Sequence, residues 1–293
     1  DNILNLKSDR DLGTHTSVIH DQKNFPKIFH INHHLSHAAN AFYLSNFKSA
    51  AILTCDYRGE YESTTFSSGH GSKIKKLQSI NLPNSLGKLY ATFTELLGYK
   101  SDNDEWKVMA MSAYDVNCKE EVKKIKKCYK LSANGNFELV AKFFEYSNVG
   151  NNNHHYSNNL LELFNIKKVI YSSEPTKKQI KIAKALQICS EEIGFHFLNH
   201  LYKLTKNKNL VLSGGFFLNT VFNGKIIKNT KFKNLYIPYA PSDTGNSLGS
   251  ALFLNYNILN KKKQTINNSP FIGLEYNNNQ ILNKKKKSKI RNS

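Results

Sequence analysis

"HINHHLSHAANAF", residues 30–42, places four histidines within eight positions and then turns to small and apolar residues. The preceding "KIFHIN" (27–32) has strand character, so the stretch reads as a strand running straight into a helix. On that helix His33 and His37 stand at i and i+4 and project from one face. His34 lies roughly 100° round the axis but also pairs with His37 at i, i+3, so spacing alone leaves both pairs open. Imidazole is the commonest protein metal ligand and the side chain best suited to moving protons near neutral pH. Two imidazoles need one or two added carboxylates to complete a site, and such mixed sets suit Fe(II), Zn or Mn. The plainer alternative is a helix start bearing surface histidines.

Working outward, "AAILTCD" (50–56), "YESTTFSS" (61–68) and "IKKLQSI" (74–80) read as a three-strand meander, with turns at Gly59 and at Gly69–Gly71. "SLGKLYATFTELLG" is an amphipathic helix closed by Gly98, and "DEWKVMAMSAY" a short one. Residues 1–25 and 131–175 carry no periodicity and are expected to be irregular. A long helix is expected over 176–204, after Pro175. "NLVLSGGFFLNTVFNGKII" and "NLYIPYAPSDTGNSLGSALFLNY" each read as strand, turn, helix, which argues for an α/β sheet with ligands at the strand ends. From Lys284 the chain reads as a solvated or frayed lysine-rich tail.

The chain has 293 residues, with 40% hydrophobic and 12% aromatic content, enough for a sizeable core and too much for disorder. No apolar run is long enough to span a membrane, which argues against a membrane protein. Four scattered cysteines (Cys55, Cys118, Cys128, Cys189) form no CxxC pair and imply a reducing, cytoplasmic setting. The formal charge of +19 invites a nucleic-acid reading. All but three of the 41 basic residues are lysine, however, and arginine is what reads phosphate and base edges bidentately. The charge therefore reads as a solvated surface.

Other residues stand where chemistry is done. Asp56 ends an apolar strand beside a glycine turn, a ligand-binding position that also suits a turn-forming Asp. Asp243, in "PSDTGNSLG", is equally a good N-cap. Gly214 and Gly215 sit between strand and helix, where backbone amides approach phosphate or simply allow tight packing. Asn219 follows one turn later, placed for a ribose or base, and Lys107 for a phosphate or carbonyl oxygen. His154 and His155 read as surface.

In order along the chain, "NHHLSHAANAFY", "LTCDYRGEYESTTF", "DEWKVMAMSAYD", "LVLSGGFFLNTVFNGKI", "SDTGNSLGSAL" and the late "SPFIGLEYNNNQI" resemble the motifs of the O-carbamoyltransferases of nodulation-factor and antibiotic-tailoring type, over residues 28–282. The resemblance implies an actin-like ATPase (ribonuclease H-like) α/β fold, with mixed sheets flanked by helices and an incomplete first lobe. It implies Fe(II) or another divalent transition metal on His33, His37, Asp56 and Asp243. It also implies a carbamoyl-adenylate, made from ATP and carbamoyl phosphate, in a site involving Gly59, Lys107, Gly214, Gly215, Asn219 and Gly245. The carbamoyl group would pass to a hydroxyl of a small-molecule or sugar acceptor, with His34 as the candidate to move the hydroxyl proton.

The chain departs from the family pattern in three ways. No glycine-rich phosphate hairpin precedes Lys27, the adenylate-forming C-terminal domain does not follow, and Ala110 and Asp115 replace two glycines of the pattern. The expected organisation is thus a partial catalytic domain over 1–283, with 284–293 as a tail or the start of a missing domain, marginally folded and inactive by itself. The alternatives are an inactive nucleotide-binding remnant of the same fold and a basic module for an acidic polymer.

Overall fold

The computed structural model describes residues 3–4, 28–146, 155–167, 174–265, 269–271 and 273–289. Two short strands, β1 (Ile3–Leu4) and β2 (His30–Ile31), pair antiparallel. Helix α1 (His33–Leu44) follows β2 directly, its N-terminus capped by Asn32, whose Oδ1 accepts from the Leu35 amide at 3.2 Å. The meander forms as expected: β3 (Ser49–Cys55), β4 (Glu62–His70) and β5 (Lys73–Asn81) are antiparallel neighbours.

Helices α2 (Leu86–Leu96), α3 (Glu105–Met111) and α4 (Lys119–Ile125) come next. Part of the stretch expected to be irregular is ordered, as a hairpin of β6 (Tyr129–Leu131) and β7 (Phe137–Leu139) and helix α5 (Asn158–Phe164). Three-residue strands are too short for an alternation to declare itself in sequence. The rest of that expectation, and that for 1–25 apart from Ile3–Leu4, falls largely outside the described residues.

The long helix is α6 (Lys177–Thr205), opened by a full capping box between Thr176 and Gln179. After β8 (Asn209–Ser213) the expected helix is instead a 3-10 turn over Gly215–Leu218 and two single turns, α7 (Thr220–Asn223) and α8 (Ile226–Asn229). Strand β9 (Asn234–Tyr236) leads through a 3-10 turn to α9 (Asn246–Phe253). From Lys284 to Lys289 the lysine-rich stretch continues helix α10 (Asn278–Lys289), which is exposed over 278–284, the solvated of the two expected forms. Lysines at successive positions are good helix formers, and in water their charge does not prevent the helix. No helix among the described residues is long and apolar enough to cross a membrane.

The sheet order is β5-β4-β3-β8-β9, with β3, β8 and β9 parallel. This is the mixed, helix-flanked sheet the sequence led us to expect. Strand β3 is central and covered on both faces, which is why it reads as an unbroken apolar run. Its alternation splits the core: Ala51, Leu53 and Cys55 face α2 and α6, while Ala50 and Ile52 face α1 and α9. A parallel sheet with buried faces sends its strand ends to a shared edge, and Asp56 and Gly214 both follow such ends.

The far end of α1 is also held. Lys263 Nζ donates to the carbonyls of Phe42 and Phe47, each at 2.8 Å, and lies 4.1 Å from the Phe42 ring centre. A cation there complements the negative end of the helix dipole, while burial pushes its pKa down to about 8.

Phe66, fully buried on β4, meets the rings of Phe197 and His200 edge-on at 5.9 and 5.4 Å. Phe66→Ala is expected to lower stability by about 3–5 kcal/mol in urea unfolding; a loss under 1 kcal/mol would contradict this packing.

Candidate metal centre

Four side chains from three separate stretches converge at the edge where β3 and β8 end. His33 and His37 come from the first two turns of α1, Asp56 from the end of β3, and Asp243 from the turn before α9. One ligand atom from each lies within 4.8 Å of all the others. His37 Nε2 is 2.8 Å from Asp56 Oδ2, 3.1 Å from His33 Nε2 and 3.2 Å from Asp243 Oδ1. His33 Nε2 is 3.4 Å from Asp243 Oδ1 and 3.7 Å from Asp56 Oδ2. The open choice between the two histidine pairs falls to His33 and His37.

His37 and Asp56 are held from behind, and the helix that carries both histidines is anchored at its start. Ser213 Oγ lies 2.9 Å from the Pro241 carbonyl and 3.3 Å from His37 Nδ1, and so holds the ring with Nε2 turned to the cluster. Asp56 accepts from the Gly215 amide at 3.1 Å and from the Tyr57 amide at 2.6 Å. Glu60 accepts from the His33 amide at 3.0 Å and from Asn32 Nδ2 at 2.7 Å, an anion at the positive end of the helix that carries both histidines.

The electrostatics follow. Burial opposes a charge on His37, but hydrogen bonds and charges from Asp243 and Asp56 outweigh it, so its pKa is raised. Burial would raise the Asp56 pKa, yet the hydrogen bonds of His33 and His37 hold it well below the usual carboxylate range. His37 Nε2 and Asp56 Oδ2, 2.8 Å apart, share a proton in the metal-free protein. The donor set, two imidazoles and two carboxylates, equally fits a divalent transition metal.

Several residues singled out in the sequence sit elsewhere. His34 is buried, with Nδ1 2.8 Å from Thr54 Oγ1 and Nε2 2.9 Å from the Glu62 carbonyl. Both nitrogens are occupied and burial, with the neighbouring histidines, lowers its pKa to about 4, so the ring braces α1 against the sheet rather than moving a proton. Lys107 Nζ turns to Asp104 at 2.9 Å and to the rings of Trp106 and Tyr99. Gly59 packs under His34, and Gly245 under Asn40 of α1. At Gly214, with φ +110°, a side chain would run into the Cys55 carbonyl. Asn219 exchanges two hydrogen bonds with Gln187, at 2.8 and 3.1 Å, so its amide is spent inside the protein.

Of the six glycine, lysine and asparagine positions, Gly215 and Asn219 line a cleft of about 510 Å³ beside the cluster. Tyr57, Arg58, Trp106, Phe216 and Leu218 also line it. His155, expected as bland surface, instead sits 3.3 Å from the Tyr57 hydroxyl and its amide donates to Glu95 at 2.7 Å; His154 lies outside the described residues. Sequence reading missed Ser213 and Glu60. Ser213 had a signal, a hydroxyl closing an apolar strand before two glycines; Glu60 had none beyond a turn position.

The family model for the carbamoyltransferase N-terminus matches residues 10–252, and the chain belongs to that family. It is 32% identical over 242 residues to the sll1178 protein of Synechocystis, covering 82% of this chain and 38% of that protein. It is 31% identical over 231 residues to the nodulation protein NolNO of Sinorhizobium fredii, covering 78% of this chain and 31% of that one. The chain thus spans about a third of the length of these relatives. A solved structure, HypF of T. kodakarensis, aligns at 14% identity with a TM-score of 0.39, over 80% of this chain and 38% of that one.

His34→Ala would remove one of the two hydrogen bonds to the Glu62 carbonyl, leaving that from the Gly59 amide, and empty a buried ring site. The expected loss is about 2–4 kcal/mol in urea unfolding, with bound metal at parent stoichiometry in the folded fraction; metal loss at intact stability would return His34 to the cluster.

Proposed function

We propose that this chain forms the metal-bearing part of an O-carbamoyltransferase, which moves a carbamoyl group from carbamoyl-adenylate to a hydroxyl of a small-molecule or sugar acceptor. The observation that carries the reading is the convergence of His33, His37, Asp56 and Asp243, one ligand atom from each lying within 4.8 Å of all the others. Family membership supplies the reaction class, and the donor chemistry supplies the site within it.

His33, His37, Asp56 and Asp243 would hold a divalent transition metal, Fe(II) foremost. Bound there, it contributes Lewis acidity toward the carbamoyl carbonyl. The protein's own groups do the rest. The apolar wall of Tyr57, Trp106, Phe216 and Leu218 offers adenine a face to stack on, and Arg58 at the rim offers charge to a phosphate. The Gly215 amide fixes the Asp56 carboxylate instead of touching phosphate itself, which changes the part expected of that glycine.

Holding the adenylate against the cluster presents the carbamoyl carbon to the open cleft, where an acceptor hydroxyl can reach it. Transfer joins the hydroxyl oxygen to that carbon, breaks its bond to the adenylate phosphate, and releases AMP and the hydroxyl proton. Carbamoyl phosphate and ATP are the proposed source of the adenylate. The four cysteines are free and buried, in keeping with a reducing, cytoplasmic setting.

The His33→Ala/His37→Ala double variant is expected to lose about one equivalent of bound metal by elemental analysis; metal content equal to the parent would sink the assignment. Gly215→Val sets a Cβ about 3.1 Å from Asp56 Oδ1 and adds two methyls beyond it. It is expected to weaken metal binding at least as much as nucleotide binding in calorimetric titration, whereas an effect on nucleotide alone would restore the phosphate-contact reading.

A further inference from the structure

We propose that Asn246 is a fifth ligand of this centre, contributing its side-chain amide oxygen and favouring metals of five or six coordination over tetrahedral zinc. The inference rests on the metal reading above. Asn246 is the first residue of α9 and stands three positions after Asp243, so the two side chains share one face of the turn that enters the helix. Its amide nitrogen lies 3.3 Å from His37 Nε2 and 3.4 Å from Asp243 Oδ1, and those two atoms are 3.2 Å apart. Atoms about 2.1 Å from one metal ion at near-tetrahedral or octahedral angles stand about 3.0–3.4 Å from each other. The end of the Asn246 side chain thus already sits at the spacing of a coordination shell.

The hydrogen bonding around Asn246 points the same way. Its nitrogen faces His37 Nε2 and Asp243 Oδ1, while its Oδ1 is buried without a hydrogen-bond partner. An orphaned buried oxygen costs about 1–3 kcal/mol and asks for an explanation. Both atoms that the nitrogen faces are themselves metal ligands. A cation among them takes the His37 lone pair and one from Asp243, and an N–H group directed there then meets positive charge. Turning the amide about its last torsion, an exchange of nitrogen and oxygen with almost no change of shape, brings the oxygen to the cation. The orphaned atom becomes the ligand, and a neutral oxygen joins the shell without further charge.

A fifth oxygen has a consequence for metal choice. Zinc prefers four-coordinate sites, whereas Fe(II), Mn(II) and Co(II) accept five or six ligands when hard oxygen donors are supplied. Asn246 would therefore bias the centre toward iron-like metals while leaving room for a substrate oxygen.

The test is reconstitution of the 293-residue chain with Co(II), whose visible absorption is several-fold stronger in four-coordinate tetrahedral sites than in five- or six-coordinate ones. The parent should show the weak, higher-coordinate spectrum. Asn246→Ala should intensify the bands and weaken Co(II) and Fe(II) binding by about tenfold, with zinc binding moved much less. Asn246→Asp, which keeps an oxygen and adds charge, should retain the weak spectrum and bind more tightly. An intense tetrahedral spectrum in the parent overturns the inference whether or not the variants fold. An Asn246→Ala protein with unchanged spectrum and metal ranking also overturns it, provided that His33→Ala still abolishes binding; Asn246 is then only a hydrogen-bond donor to Asp243. If His33→Ala binds as the parent does, the four-ligand centre itself is wrong and the fifth ligand falls with it.

Discussion

The 2.8 Å approach of the buried His37 Nε2 to Asp56 Oδ2 is the constraint around which this end of the molecule is organised. A ring nitrogen and a carboxylate oxygen so close need a proton or a cation between them. Ser213 stands 3.3 Å from the far nitrogen of His37. Gly215 and the Tyr57 amide deny Asp56 the freedom to turn away. Groups outside the cluster thus hold two of its members in place, as outer-shell partners do at metal sites.

The fold supplies those groups by a simple device. Strand β3 is buried on both faces and pairs in parallel with β8, so Asp56 and the Ser213–Gly215 turn leave the sheet side by side. Helix α1 crosses the same edge, tied at its start by Glu60 and at its end by Lys263, an anion and a cation matched to the helix dipole. His34 presses the helix onto β3 and β4 through Thr54 and Glu62. A residue next to His33 and three positions from His37 thus registers the helix, and the distinction is set by its direction round the axis.

That distinction marks what sequence can and cannot carry. The i, i+4 spacing of His33 and His37, and the place of Asp56 at the end of an apolar run, are local patterns with a geometric meaning, so both were legible. The meander, the long helix after Pro175 and the two strand–turn units were legible for the same reason. Ser213, Glu60 and Asn246 act through partners distant in sequence, His37, His33 and Asn32, and His37 again, and nothing local announces those pairings. Asn219 and Lys107 show the converse limit. A polar side chain beside a cleft can satisfy itself within the protein, and here Gln187 and Asp104 take the places expected for a ligand. The 129–131 and 137–139 hairpin escaped notice because three residues give no measurable period.

The four candidate ligands are scattered from position 33 to position 243 of the chain, and only the finished sheet brings them together. An unfolded chain would have to close a loop of roughly 200 residues to offer the same set, an entropic cost that grows slowly with length but is already large. Were the proposed metal to bind there, it would stabilise the folded chain by an amount that rises with free metal concentration. In a cell short of that metal, the consequence would be a smaller folded population, felt as lower abundance as well as lower activity.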